Sequence, residues 1–444
     1  MVKARGIFKG DLVIWAVYFF LIAISLVEEF SAASTLAYKS GDYWGVLYNH
    51  AIFLFVGFVI LWGIHNIPCR WFRIVPLFGL PLILIALIAT LAFGKESNEG
   101  VRWLSIFGMQ LQPSEFAKPI MVTSIALLLS YNQREEGADP RLFNKILWIT
   151  FVFCGLIVTQ NFSTAALIFV VVFAMMIIGR VPRQQMLKLT LSLIGIGLVS
   201  ALVLLSLPKD SFVFDLPGLG RALTWKNRIA DFMGNGEASK AEVSFKQAQD
   251  SIPSGAAHRD SLLAAKYPIA DNAQTGHANI AISSAHLIGK GPGNSVQRDF
   301  LSQAFSDFIF AIIIEELGIL GGVFVVLLYI ILLFRAARIA SRCERNFPAF
   351  LILGLSILIV FQALVNMFVA VGLIPVTGQT LPLISRGGSS IISVSISLGM
   401  MLSVSRYARK RKPADSDAQP SANIDPRDDD AAIRANFEDA GKMI

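Results

Sequence analysis

The sequence predicts an all-α integral membrane protein. About ten transmembrane helices are expected, with a large extracytoplasmic loop between helices 7 and 8 and both termini cytoplasmic. Three observations carry this reading. The 444 residues are 55% hydrophobic and 16% charged, with mean hydropathy +0.62, whereas ordinary soluble domains carry about 25% charged residues. Apolar runs near the length needed to cross roughly 30 Å of hydrocarbon recur along the chain. Basic residues gather in alternate connections, as the positive-inside rule requires of one membrane face.

The runs lie near 11–32, 46–66, 73–94, 113–131, 144–160, 163–180, 187–207, 307–333, 348–372 and 382–405. Only Gln160-Asn161-Phe162 separates the fifth from the sixth, which makes that pair a tight hairpin or a single miscounted region. The first run is too long for a cleavable signal peptide and is expected to act as an uncleaved anchor. Lys3, Arg5, Lys9, Arg70, Arg73, Arg134, Arg141, Arg180, Arg183, Arg335, Arg338, Arg406 and Arg409 all fall on one side of an even-numbered bundle. That side is therefore the cytoplasm. The net charge of +7 is accounted for by topology, without nucleic-acid binding.

Four segments follow: helices 1–7 over 1–207, the outer loop over 208–305, helices 8–10 over 306–406, and a cytoplasmic tail over 407–444. The loop is polar and long enough to be functional or disordered. Its middle, 234–266, reads as flexible, while Ala278–Ile288 has helical apolar spacing and Gly289-Lys-Gly-Pro-Gly293 reads as a sharp turn. The tail, centred on Asp428-Asp-Asp430, has the composition of a disordered segment. Cys69, Cys154 and Cys343 lie away from the loop, so no disulfide framework is indicated. No metal-ligand spacing is present.

Several polar groups interrupt the apolar pattern. Thr377-Gly-Gln-Thr-Leu-Pro-Leu-Ile-Ser-Arg-Gly-Gly-Ser-Ser390 places a Gly387-Gly388 pair, Arg386, Ser385, Ser389 and Ser390 where a helix enters the membrane. Such groups must face protein or a wet cavity; as a plain helix cap the two terminal serines would suffice. Asp307 stands at the outer mouth of the eighth run, either as a first-turn carboxylate stabilised by the helix dipole or as a chemical group. At 100° per residue Glu315 and Glu316 lie about two turns deeper, about 80° and about 180° round from it. At least one should be paired or protonated, with Glu315 the cavity residue and Gly318, Gly321 and Gly322 allowing close packing. Arg102 and Trp103, then Gln112-Pro113-Ser114-Glu115 and Lys118, lead into the fourth run; Glu115 and Lys118 are i,i+3 partners. Gln362 and Asn366 sit one turn apart in the ninth.

These residues resemble the signatures of the SEDS family of bacterial membrane proteins (FtsW/RodA/SpoVE). The stretch 377–390 fits T-G-x-x-L-P-x-x-S-x-G-G-[ST]-S at every fixed position. Residues 301–318 fit the family's L-P-x-x-x-T-D-F-I-F-A-x-x-x-E-E-x-G segment with Ser302 for proline and Ser306 for threonine. The R-W…Q-P-S-E-x-x-K pattern is complete, as is Q-x-x-x-N at Gln362 and Asn366. Asn161 stands where many members have aspartate. The resemblance covers about residues 10–406.

It implies a peptidoglycan glycosyltransferase that polymerises lipid II, with Asp307 as catalytic base. It also implies Arg102, Glu115, Lys118, Gln362, Asn366, Ser385, Arg386, Ser389 and Ser390 as substrate-binding residues. Trp103, Gln112, Pro113, Ser114, Glu315, Glu316, Gly387 and Gly388 would be structural or cavity-lining. A divalent cation, Mg²⁺ or Mn²⁺, is compatible with a departing pyrophosphate, although no dedicated metal site is visible. Leu383-Ile-Ser-Arg-Gly-Gly388 and Gln160-Asn-Phe-Ser-Thr164 are more similar to the cell-division branch than to the elongation branch. That implies septal synthesis in the bacterial inner membrane beside a class B penicillin-binding protein and other divisome proteins. Two rivals stay open. A lipid II flippase predicts mirror-related repeats, and none is seen; a non-catalytic scaffold would tolerate loss of Asp307.

Overall fold

The computed structural model describes residues 8–40, 43–96, 101–106, 109–134, 137–206, 226, 274–301 and 304–408. The loop middle, 234–266, for which flexibility was expected, and the tail beyond Ala408 lie outside these residues. Among the described residues ten helices of 17 residues or more overlie the ten apolar runs. They are α1 (Leu12–Ser40), α2 (Tyr43–Ile64), α3 (Val75–Phe93), α4 (Pro113–Tyr131), α5 (Pro140–Val158), α6 (Phe162–Ile178) and α7 (Arg183–Ser206). The short α8 (Gln274–Ser284) comes next, followed by α9 (Ile309–Ala340), α10 (Asn346–Ala370) and α11 (Gly388–Tyr407).

Seven of the long helices, α1, α2, α3, α5, α9, α10 and α11, are long and apolar enough to cross a membrane. The apolar α6 is shorter, at 17 residues. Helix α4 is less apolar because Ser114, Glu115 and Lys118 fall in its first turns, and it tolerates them because it is the central helix. Nearly every residue from Pro113 to Leu129 is buried, against α3, α6, α10 and α11. No lipid touches these polar groups, so their cost is set by protein partners.

The fifth and sixth runs are separate helices. Asn161 ends the connection as the N-cap of α6, its Oδ1 accepting from the main-chain N–H of Ser163 and Thr164 at 3.1 and 3.4 Å. Asn and Asp cap equally well, so the departure from aspartate keeps this function. At the start of α5 Asp139 accepts from the N–H of Arg141, and that bond holds its carboxyl below the ordinary range.

Between α3 and α4 the chain forms a three-stranded antiparallel sheet, β1 (Lys95–Glu96), β2 (Val101–Ile106) and β3 (Met109–Leu111), in the order β1-β2-β3. Trp103 pairs with Lys95, and Leu104 with Leu111. The sequence reading treated this segment only as a lead-in, because strands of two to six residues carry too little periodicity to announce themselves.

Helix α9 is the irregular one. At Gly318 the backbone turns to φ 77°, ψ −179°, a region open only to glycine. The segment after α8 lies across this break and replaces the missing helical bonds. The N–H groups of Lys290 and Gly291 donate to the carbonyls of Glu315 and Glu316, and those of Ile319 and Leu320 donate to His286 and Leu287. The sharp turn expected at Gly289-Lys-Gly-Pro-Gly293 is present, and it is also a strap bonded to the helix. Gly318 serves the break rather than ordinary helix packing. A Cβ there would lie 2.4 Å from the Leu287 carbonyl oxygen. Gly318→Ala is expected to destabilise the protein by more than about 2 kcal/mol, read as a lowered Tm in detergent.

Two contacts seat the strap's neighbours. His277 Nδ1 bonds Gln297 Oε1 at 2.8 Å, and its ring stacks on Phe300. Burial pushes this imidazole below its ordinary pKa, against the opposing pull of the Gln297 bond. At the other end of the bundle Arg335 Nη2 pairs with Asp11 at 2.6 Å, and the Asp11 N–H donates to Ser405 Oγ. The ends of α1, α9 and α11 therefore meet at a basic face, where Arg406 also bonds the His65 carbonyl.

Candidate active site

The turn ahead of α11 is held from every side. Pro382 accepts from Tyr329 Oη at 2.6 Å. The Ile384 carbonyl accepts from Ser25 Oγ at 3.0 Å, and Ser25 Oγ lies 2.8 Å from His50 Nε2. The hydroxyl's one proton is committed to Ile384, so His50 must donate through Nε2–H. Leu383 sits at φ 66°, an unusual conformation for a branched residue that this bracing over-determines. Ser385 Oγ accepts from the Leu381 N–H at 2.7 Å and donates to the Ser306 carbonyl at 2.6 Å. The Arg386 N–H donates to the Phe305 carbonyl at 2.9 Å. Gly388 opens α11 against the Phe53 ring, which a Cβ would approach to 2.6 Å; Gly387 meets no such limit.

These last bonds clamp the turn to 304–307, the segment that carries Asp307. The aspartate precedes α9, whose first residue is Ile309. The angular relation to Glu315 and Glu316, which assumed a helix continuous from 307, therefore does not apply. Asp307 is half-buried. Its main-chain carbonyl accepts from Asn366 Nδ2 at 2.9 Å, and the same amide donates to the Gln379 carbonyl at 2.7 Å. The loop is thus positioned in part through its backbone.

Most other expected substrate contacts are internal. Lys118 is 2% exposed, 2.7 Å from Glu115 Oε2 and 2.7 Å from Gln362 Oε1. Gln362 Nε2 continues to the Thr380 carbonyl at 2.9 Å, and Thr380 Oγ1 lies 2.9 Å from Ser390 Oγ. Ser389 Oγ accepts from the Gln112 N–H at 3.0 Å, while the Gln112 side chain bonds Ser114. Ser393 donates to the Glu115 carbonyl. One network thus joins α4, α10 and the turn. Glu115, Lys118, Gln362, Asn366, Ser385, Ser389 and Ser390 are all buried in this conformation. Trp103 is half-buried on β2, and the Arg102 side chain lies outside the described residues.

A buried ion pair is costly to break and cheap to replace whole. Lys118→Met alone is expected to destabilise the protein by about 3–5 kcal/mol, with most of the loss recovered by adding Glu115→Gln. Thermal unfolding of both variants checks it.

Glu315 and Glu316 are fully buried. Glu315 pairs with Lys290 at 2.6 Å and accepts from Ser295 Oγ and the Val296 N–H. Glu316 accepts from the N–H groups of Gly293 and Ser295, at 2.9 and 3.3 Å, and from Ser31 Oγ. Arg298 completes this knot, with Nη1 2.7 Å from both the Ser31 carbonyl and its Oγ and 3.8 Å from Glu316. The two acids fasten the strap.

Sequence reasoning missed Glu28, Glu29, His50 and Arg298. Glu29 is 3% exposed and its Oε1 is 3.7 Å from Arg386 Nε. Glu28 is buried beside it with neither carboxyl oxygen hydrogen-bonded. The available signal was two adjacent acids inside an apolar helix, which by itself marks a polar site. Among the described residues no three His, Cys, Asp or Glu side chains gather as a metal site.

A helical bundle of this length and polarity, with an acid and an arginine clamped together at the end opposite its basic face, defines a multi-span membrane protein with a concentrated polar site there. Comparison with known proteins places it more narrowly. The chain belongs to the FtsW/RodA/SpoVE family, described as cell cycle proteins, whose model matches residues 11–239 and 261–410. It is 30% identical over 329 residues to the probable peptidoglycan glycosyltransferase FtsW of Bacillus subtilis, covering 73% of this chain and 72% of that one. The stage V sporulation protein E of the same organism is 29% identical, over 90% of this chain and 98% of its own. A chain of a peptidoglycan synthase complex superposes with a TM-score of 0.60 at 22% identity, over 90% of this chain and 99% of that one. Thermus thermophilus RodA does so with 0.56 at 22% identity, over 90% and 98%.

Proposed function

We propose that this protein is a peptidoglycan glycosyltransferase that polymerises lipid II, of the septal, cell-division type. Asp307 is its general base. The observation that carries this reading is the double clamp of Ser385 Oγ on Ser306 and the Arg386 N–H on Phe305. It fixes a half-buried carboxylate and an arginine whose side chain is 40% exposed at one mouth. The chemistry needs both. The carboxylate takes the proton from the acceptor sugar's 4-hydroxyl as that oxygen bonds the donor's anomeric carbon. The anomeric carbon's bond to undecaprenyl pyrophosphate breaks, and the leaving group carries away the electron pair. A guanidinium suits that anion because its planar N–H groups match phosphate oxygens.

In this reading the mouth faces away from the cytoplasm, because the opposite face carries the basic residues. A class B penicillin-binding protein cross-links the new strand, in keeping with the likeness to a complex concerned with polymerisation and crosslinking. The septal assignment is supported by the FtsW-named relatives. The test is to incubate the purified protein, with and without its cognate penicillin-binding protein, with labelled lipid II. Glycan ladders support the polymerase. Translocation of lipid II in liposomes without ladders overturns it in favour of a flippase.

A further inference from the structure

Helix α1 presents Ser25 and Glu29, one turn apart, to the turn that carries Arg386. Ser25 holds the Ile384 carbonyl and Glu29 faces the Arg386 guanidinium. The Glu29 carboxylate is 3% exposed, and its Oε1 makes no hydrogen bond. A buried carboxylate oxygen without a hydrogen bond is favoured by a nearby cation. Among the described residues its one ion-pair partner is Arg386, approached from the Nε side at 3.7 Å. The stem of Arg386 is fixed by its N–H on Phe305. With the guanidinium held at its base and drawn inward at Nε, its two terminal amino groups make no hydrogen bond among the described residues. Its five N–H donors allow one edge to serve a carboxylate while another serves a second anion.

We propose that Glu29 is a positioning residue that acts through Arg386, turning the terminal amino groups toward the mouth to meet the pyrophosphate of the lipid-linked substrate. The proposal rests on the reading of Arg386 as the pyrophosphate contact. It does not make Glu29 touch substrate.

A double-mutant cycle on the full-length protein, with lipid II as substrate, tests it. Glu29→Gln keeps the side chain's size and is expected to lower kcat/KM about tenfold, chiefly through KM, as the cost of a misaimed contact. Arg386→Ala should raise KM at least as far. Adding Glu29→Gln to Arg386→Ala should then cost nothing further, because the residue through which Glu29 acts is gone. Equilibrium binding of labelled lipid II gives the same cycle if turnover is too slow to measure. A merely structural Glu29 would lower Tm and remain as costly in the Arg386→Ala background, and that additivity overturns the proposal. If Arg386→Ala raises KM and Glu29→Gln does not, the positioning role fails alone. If Arg386→Ala leaves KM unchanged, the pyrophosphate reading of Arg386 fails, and the role of Glu29 with it.

Discussion

Asp307→Asn is expected to lower lipid II polymerisation by about 10²–10⁴-fold, the usual worth of a positioned general base, while the protein folds as before. Folding should survive because the loop is held through main-chain atoms: Asn366 on the Asp307 carbonyl, Ser385 on Ser306 and Arg386 on Phe305. None of these bonds uses the carboxylate. Asparagine is isosteric but cannot accept the acceptor sugar's proton, so kcat falls and KM changes little. Glycan ladder formation measured beside thermal unfolding in the same detergent separates the two effects. Equal ladders from both proteins would remove Asp307 from the chemistry.

Arg298→Met is expected to have the largest effect on stability. Arg298 is buried, bonds the Ser31 carbonyl and hydroxyl and the Gly293 carbonyl, and lies 3.8 Å from Glu316. Glu28 also stands within its electrostatic reach. Its loss leaves buried acids without a counter-charge and frees the strap from α1. Breaking a buried pair from one side costs about 3–5 kcal/mol. Glu316→Gln in the same chain should recover much of this, since it removes the uncompensated charge. A double variant no more stable than Arg298→Met would show that Arg298 acts on the strap rather than on Glu316.

Much of the fold was legible because lipid imposes a length and a polarity on every exposed helix, and the apolar runs obey both. The signature 377–390 was legible for the opposite reason: it violates the lipid rule. What sequence alone could not give is which polar group faces which. Lys118 looks like a free cation until Glu115 and Gln362 are found against it, and the one element that joins them, α4, is buried by helices distant in sequence. Arg298 reads as one more polar loop residue because its partners lie 267 positions away on α1. The break at Gly318 was hidden too. An apolar run with a glycine in it has the same composition whether or not another segment is bonded across it.

That break divides one apolar run between two solvents. Beyond it Ile319, Leu320, Val323, Phe324, Leu327, Ile330, Ile331 and Phe334 are exposed along the outside of the bundle, and 319–340 covers about 33 Å at 1.5 Å per residue. That length satisfies the hydrocarbon thickness without help. The stub 309–316 is buried throughout and need not span any lipid. The bilayer therefore sets the depth of the lower half, while the stub's depth is set by protein alone. Hydrophobic mismatch is expected to tilt or shift the lower half. The strap would take up that movement before it reached Asp307, so the active site should be insulated from changes in membrane thickness.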